Sequence, residues 1–412
     1  MRRTRLLSRI LMLFFVSGLA LSCQPASADE SHLTTNGQEL GEISDAVERY
    51  DNLLEDTYAH IANGKQITDK SYTLDELQIA ESQVDYIVDA FLSSGLTIND
   101  VDVTSTIESI IPDAEGYHVS AEVTTKINHQ HVNENNLLVQ DTCWWTDSHT
   151  LIISRTSVQS PYQEDGSASS QLLEDTRIPE SIAPAEPNSR LSSSGMTTEE
   201  ALAARVVNFT PSDGARPAGR PVLPDFMNGV RYALKWTDYP YSGDDESDFN
   251  PDYPYFGNNC ANFVSQSLHE GGAPYHTSLS INTKDKALWT PNLLPGKPTW
   301  TWNNADYNYE FMKNNYFNAF DSPWMDIGGL IYTDWNADGT KDHAMIVTQC
   351  DKTFVNGQMI MNTYISQKTN NRHNIPLSVE MGLAHQSHPQ YHMVRLGIAV
   401  AILIPVIRWR IR

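Results

Sequence analysis

Two residues of this chain have the types and settings needed for nucleophilic chemistry. Cys260 heads the run Cys260-Ala-Asn-Phe-Val-Ser-Gln-Ser-Leu-His-Glu270, which has helical spacing and is stopped by Gly271-Gly272. A thiol at a helix N-terminus faces unpaired backbone N–H groups and the positive end of the dipole. Both favour the thiolate, the attacking species in cysteine catalysis. His343 heads a strand-like run, Asp342-His343-Ala-Met-Ile-Val347. An imidazole on a strand set against a helix-borne thiol is the pairing used for acyl transfer, with the ring as general base. Taken singly, each residue reads more simply as core packing; the pair is what suggests chemistry.

A second constellation lies just before the histidine. Asp334, Asn336, Asp338 and Asp342 fall at positions one, three, five and nine of a loop with Gly339 at six, the spacing of an EF-hand calcium loop. The glutamate expected at twelve is absent, since Met345 stands there. A tight hairpin turn rich in Asp, Asn and Gly accounts for the same letters. No cofactor is required on this reading, and calcium is the metal that this loop would take. Tyr255, Trp300, Trp302 and Trp335 are candidates to line a substrate cleft, with core packing as the alternative for each.

Elements must hold these residues. Asp225–Trp236 and Cys260–Glu270 have helical spacing, while 330–332, 344–349 and 359–367 read as strands of one antiparallel sheet. The N-terminal half is a separate pattern. Ile43–Ile61 and Leu74–Leu96 carry apolar residues at helical spacing, followed by strand-like runs at 101–111, 117–127, 137–145 and 150–158. His118, His129, His131 and His149 are scattered through those runs and read as ordinary exposed or core histidines, with metal binding as the lesser alternative. Between the halves, Gln159 to about Arg220 is rich in Ser, Pro, Glu, Ala and Gly and reads as a disordered linker, with a short helix at 196–207. The expected organisation is therefore a leader at 1–28, an α+β accessory domain at 29–158, a linker at 159–220, the Cys–His domain at 221–397 and an apolar, basic-tipped tail at 398–412.

The chain of 412 residues carries 28 Lys+Arg against 51 Asp+Glu, a formal charge of −23. A surface so acidic repels phosphate, which disfavours nucleic acid or an anionic membrane as the main partner. Arg2, Arg3, Arg5 and Arg9 precede an apolar stretch at 10–21 and the small-residue pattern Ala26-Ser27-Ala28, together a secretory signal peptide. Acylation of Cys23 is the lipoprotein alternative. Cleavage after Ala28 leaves Cys143, Cys260 and Cys350, too few for a disulfide framework.

Further motifs give a resemblance. Asn228-Gly-Val-Arg-Tyr-Ala-Leu-Lys-Trp236, Tyr255-Phe-Gly-Asn-Asn-Cys-Ala-Asn-Phe-Val264, Thr299-Trp-Thr-Trp-Asn303, Gly329 through Val347, and Tyr364-Ile-Ser-Gln-Lys-Thr-Asn-Asn-Arg372 resemble, in order and spacing, the amidase domain of exported bacterial proteins. That domain is similar to the NlpC/P60 and CHAP cysteine hydrolases of the papain-like group. The resemblance implies an α+β fold with a helix-borne cysteine against an antiparallel sheet, Cys260 as nucleophile and His343 as base. It also implies cleavage of amide bonds in peptidoglycan or a peptide; with the leader, the expectation is a secreted or envelope-associated protein, acting as a monomer. Three positions depart from the pattern: Asn259 replaces an aspartate, Gly329 stands where Gly-Asp is usual, and Lys368 replaces the histidine that orients the imidazole. An ammonium only donates and cannot accept the imidazole N–H, whereas the Gln367 amide oxygen can. Gln367 is therefore the expected third residue. If it does not serve, the same fold is an impaired wall- or peptide-binding module.

Overall fold

The computed structural model describes residues 37–68, 72–114, 116–154, 171–177, 196–197, 200, 226–238, 249–320, 325–384 and 389–396. The leader, the C-terminal tail and most of the linker lie outside them. In chain order the elements are α1 (Gly37–Asn63), α2 (Leu74–Ser93), β1 (Thr97–Pro112), β2 (Gly116–Val132), β3 (Leu138–Ser154), β4 (Leu172–Arg177), β5 (Met196–Thr197) and α3 (Phe226–Trp236). There follow α4 (Cys260–Glu270), α5 (Trp300–Asn303), α6 (Ala305–Asn315), β6 (Phe317–Phe320), β7 (Leu330–Asp334), β8 (His343–Val355), β9 (Gln358–Gln367), β10 (Arg372–Pro376), α7 (Leu377–Leu383) and β11 (Gln390–Leu396). The fold is α+β.

Among the described residues the strands make one antiparallel sheet, ordered β1-β2-β3-β10-β9-β8-β7-β11-β5, with β4 on β3 and β6 on β11. The two halves of the chain thus share a sheet, joined where β3 meets β10 at Trp145↔Arg372 and Trp144↔His373. They also share a core. On one face α1, α2 and α7 cover Val119, Val123 and Trp145 together with Ile331, Met345, Val347 and Ile365. On the other face α3, α4, α5 and α6 cover Leu330, Tyr332, Ala344 and Ile346. The period of two sorts these residues: neighbours along β7 and β8 go to opposite cores.

Two strands expected at 137–145 and 150–158 are one continuous strand, β3. The polar stretch between them looks like a turn, but its side chains are buried and paired. Thr146 shares a hydrogen bond with Thr124 at 2.9 Å, Asp147 pairs with Arg372, and His149 meets Asp175 at 2.8 Å. The linker composition likewise conceals β4, whose Asp175 accepts from both His149 and Tyr50. Thr197 and Glu200 exchange reciprocal hydrogen bonds as a helix cap would, but the helix expected beyond them lies outside the described residues.

The His149–Asp175 pair gives a pH prediction. Burial alone lowers the His149 pKa, but the charge and hydrogen bond of Asp175 outweigh it and leave it raised. A raised histidine contributes stability that is full below its unfolded value of about 6.5 and is lost as pH rises through the folded value. Wild type minus His149→Gln should therefore show a melting-temperature advantage at pH 6 that shrinks by pH 9.

Helix α3 crosses α4 at a glycine. A Cβ on Gly229 would sit 2.4 Å from the Ser267 carbonyl oxygen. Beside it the Tyr232 hydroxyl donates to Gln266 at 2.6 Å. Gly229→Ala should cost about 1–3 kcal/mol in denaturant unfolding, because backbone must move to admit the methyl.

Candidate active site

Cys260 begins α4, as its sequence position requires, and is 2 % exposed. The turn before it is locked by two asparagines. The Asn259 amide oxygen accepts from Phe256 N–H and from Asn262, and its amide nitrogen donates to the Phe256 carbonyl. Asn262 also donates to the Pro254 carbonyl and accepts from the Trp302 indole at 2.6 Å. The Asn259 N–H donates to Thr369 Oγ1 at 2.8 Å, which ties the start of α4 to the β9–β10 turn. Thr369 and Asn370 in that turn have φ of 64° and 53°, left-handed backbone that a β-branched residue seldom adopts. The Cys260 thiol donates to Asn258 Oδ1 at 3.2 Å.

Under the helix lies a polar frame. Tyr332 donates to Asn308 at 2.6 Å, Asn308 donates to Ser265 and to the Thr301 carbonyl, and Ser265 donates to the Trp302 carbonyl. These bonds fix α4 against α5, α6 and β7. Cys260, Tyr332 and Ala344 belong to one buried cluster, and α4 packs against β8.

His343 is the first residue of β8, 1 % exposed, one step from Ala344. Alternation assigns it to the face of Met345 and Val347. That is the face opposite Ala344, Ile346 and the Cys260 cluster, and the Trp335 ring lies 6.0 Å from the imidazole. Gln367 ends β9. The pair Ile346↔Ser366 sets Gln367 opposite Met345 one step on, on the face His343 shares. Gln367 Nε2 donates to the Asn370 carbonyl at 3.1 Å, while its Oε1 is buried with no hydrogen bond among the described residues. Lys368 is fully buried with its ammonium 4.6 Å from the Phe249 ring centroid.

The carboxylates of the 334–342 loop are turned inward. Asp334 accepts from the backbone N–H of Asp338 and Gly339, Asn336 accepts from Asp338, Asp338 accepts from Thr340, and Asp342 accepts from Trp335. The Asn336 and Asp338 bonds are Asx-type turns, while Asp334 and Asp342 tie the loop across its width. The Lys341 ammonium donates to the Gly339 carbonyl within it. Burial pushes the Asp342 carboxyl up to about 6, against the pull of Trp335 N–H. The loop is thus a compact hairpin that delivers His343 to the head of β8.

The aromatic candidates divide. Tyr255 is exposed, with Phe249 at 4.8 Å. Trp300 is half-buried under the Lys284 ammonium, 3.9 Å from its centroid. Trp335 is buried beside His343, and Trp302 is wholly buried with its N–H spent on Asn262. Trp302 therefore packs α4 in place and presents no surface. A cavity of about 470 Å³ lies elsewhere, walled by Glu134, Asp326, Cys350 and Asp351 among others. Thr369 and Asn262 were missed in sequence. The Asn-x-x-Asn spacing of 259 and 262, one helical turn, was the available signal for the second; nothing local marked the first.

Comparison with known proteins places this region in context. Residues 225–393, somewhat under half of the chain, match the family model described as "Putative amidase domain". That match spans Cys260, His343 and Gln367 and supports an amidase-like domain. A relative from Bacillus subtilis (strain 168), "Uncharacterized protein YhbB", is 26% identical over 153 residues, which are 36% of this chain and 44% of that protein. The aligned region is thus under half the length of the relative. No solved structure matches.

Proposed function

We propose that this protein is a cysteine amidase or peptidase of papain-like type, exported and acting on amide bonds of peptidoglycan. The observation that carries the reading is Cys260 at the N-terminus of a buried helix packed against β8, the strand that His343 heads, inside the region with the amidase-like match. The Cys260 thiolate attacks the amide carbonyl. His343 takes the thiol proton and returns it to the leaving amine, and the N–H groups opening α4 hold the oxyanion. Gln367 Oε1, which makes no hydrogen bond among the described residues, is the acceptor assigned to the imidazole N–H during the reaction. The Asp334–Asp342 turn positions His343; calcium on that turn is the competing use of the same carboxylates.

Selective alkylation tests the nucleophile. Cys143 is buried in the opposite core, and burial pushes its thiol far up. Cys350 is half-buried, with its thiol donating to the Met325 carbonyl at 3.2 Å. None of the three is disulfide-bonded. Iodoacetamide near neutral pH should modify Cys260 ahead of both. Equal rates, with no cleavage of muropeptides, would favour the second reading, a wall- or peptide-binding module, to which the buried Lys368 ammonium lends weight.

A further inference from the structure

We propose that His131, Asp141 and Asp351 form a binding site for a divalent transition-metal ion of the zinc class, which clips the two halves of the sheet together. His131 comes from β2, Asp141 from β3 and Asp351 from β8, and one ligand atom of each lies within 4.8 Å of the others. His131 Nε2 is 3.5 Å from Asp351 Oδ2. Two ligands bound at 2.0–2.1 Å to a tetrahedral ion stand about 3.3 Å apart, so this edge is nearly set.

The histidine itself points to a ligand. His131 is 3 % exposed, and neither ring nitrogen makes a hydrogen bond among the described residues. An imidazole buried with its nitrogens unsatisfied is costly, and a metal ion satisfies the lone pair. The carboxylates are already aimed. Gln349 Nε2 donates to Asp141 Oδ2 at 2.9 Å and to Asp351 Oδ2 at 2.6 Å, and so draws both toward one point. Gln349 is held in turn by Asn374, which donates to its Oε1 at 2.9 Å and accepts from Thr348 at 2.8 Å. Register shifts fall beside these supporting residues, between Val347 and Gln349 on β8 and between Arg372 and Ile375 on β10.

The donor set chooses the ion. One imidazole nitrogen and two carboxylate oxygens suit zinc, cobalt or manganese better than calcium, which takes an all-oxygen shell. Asp351 also forms part of the wall of the 470 Å³ cavity, with Asp326 and with Glu134, whose carboxylate pairs with Lys352 at 2.9 Å. Bound there, the ion would join β2 and β3 to β8, adding to the short β3–β10 seam.

The test is cobalt titration of the tag-free, chelator-treated full chain, followed by visible absorption and elemental analysis. One equivalent should bind with no thiolate charge-transfer band. His131→Gln, Asp141→Asn and Asp351→Asn should each weaken binding at least about tenfold. Asp338→Asn, in the hairpin before His343, should leave it unchanged. Zinc X-ray absorption of the wild-type protein needs no variant and should show only nitrogen and oxygen neighbours, imidazole among them. No stoichiometric binding, a sulfur neighbour, or affinity lost in Asp338→Asn but kept in His131→Gln would overturn the proposal. Amide cleavage enters none of these readouts, so they stand apart from the reading of Cys260.

Discussion

Cys260→Ala is expected to lower amide cleavage by on the order of 10⁴-fold or more, and adding His343→Ala is expected to cost little further. The non-additivity is the informative part. If the imidazole acts by deprotonating this thiol and reprotonating the leaving amine, it has no separate task once the sulfur is gone. Independent roles would multiply the two losses. The Cys260 side chain spends one weak hydrogen bond on Asn258, and its helix is held by Asn259, Asn262, Ser265 and Trp302. Alanine there should therefore leave the melting temperature nearly unchanged, which separates lost chemistry from lost fold. Steady-state rates of the two single variants and the double variant on one muropeptide check the prediction.

The second large effect is on stability. Arg372→Leu should destabilise the protein by about 3–5 kcal/mol, because it strands two buried carboxylates. Arg372 is 4 % exposed at the join between β3 and β10. Its guanidinium donates to Glu380 at 2.8 Å, to Asp147 at 2.9 Å and to the Thr146 carbonyl at 2.7 Å. Asp147 has a second cation in Arg177 at 3.3 Å, so Glu380 carries most of the penalty. Adding Glu380→Gln should accordingly recover part of the loss. Urea unfolding of the single and double variants measures both quantities, and the seam makes a single transition the expected form.

Much of the site was legible because its signals are local. Cys260–Glu270 was bounded in sequence by its apolar spacing and by Gly271-Gly272, and the helix has those ends. His343 was visible as the head of an apolar run. What sequence hid is non-local. The polar residues of 146–149 look like a turn until Arg372 and Asp175 arrive from distant parts of the chain to pair with them. Leu172–Arg177 is too short and polar to stand out from a linker, yet Asp175 makes it part of the core. His129 and His131 alternate as any strand residues do; only the approach of β8 brings Asp351 to the second of them. The register puts Gln367 on the side of His343, while Lys368 lies in the turn just beyond β9, where the period of two no longer applies.

The most direct measurement is digestion of purified peptidoglycan with the wild-type chain and with Cys260→Ala, followed by mass spectrometry of the released fragments. The account predicts soluble fragments with new amine and carboxyl termini from the wild type and none from the variant. Equal release by both proteins, or fragments without a newly cleaved amide bond, would contradict it.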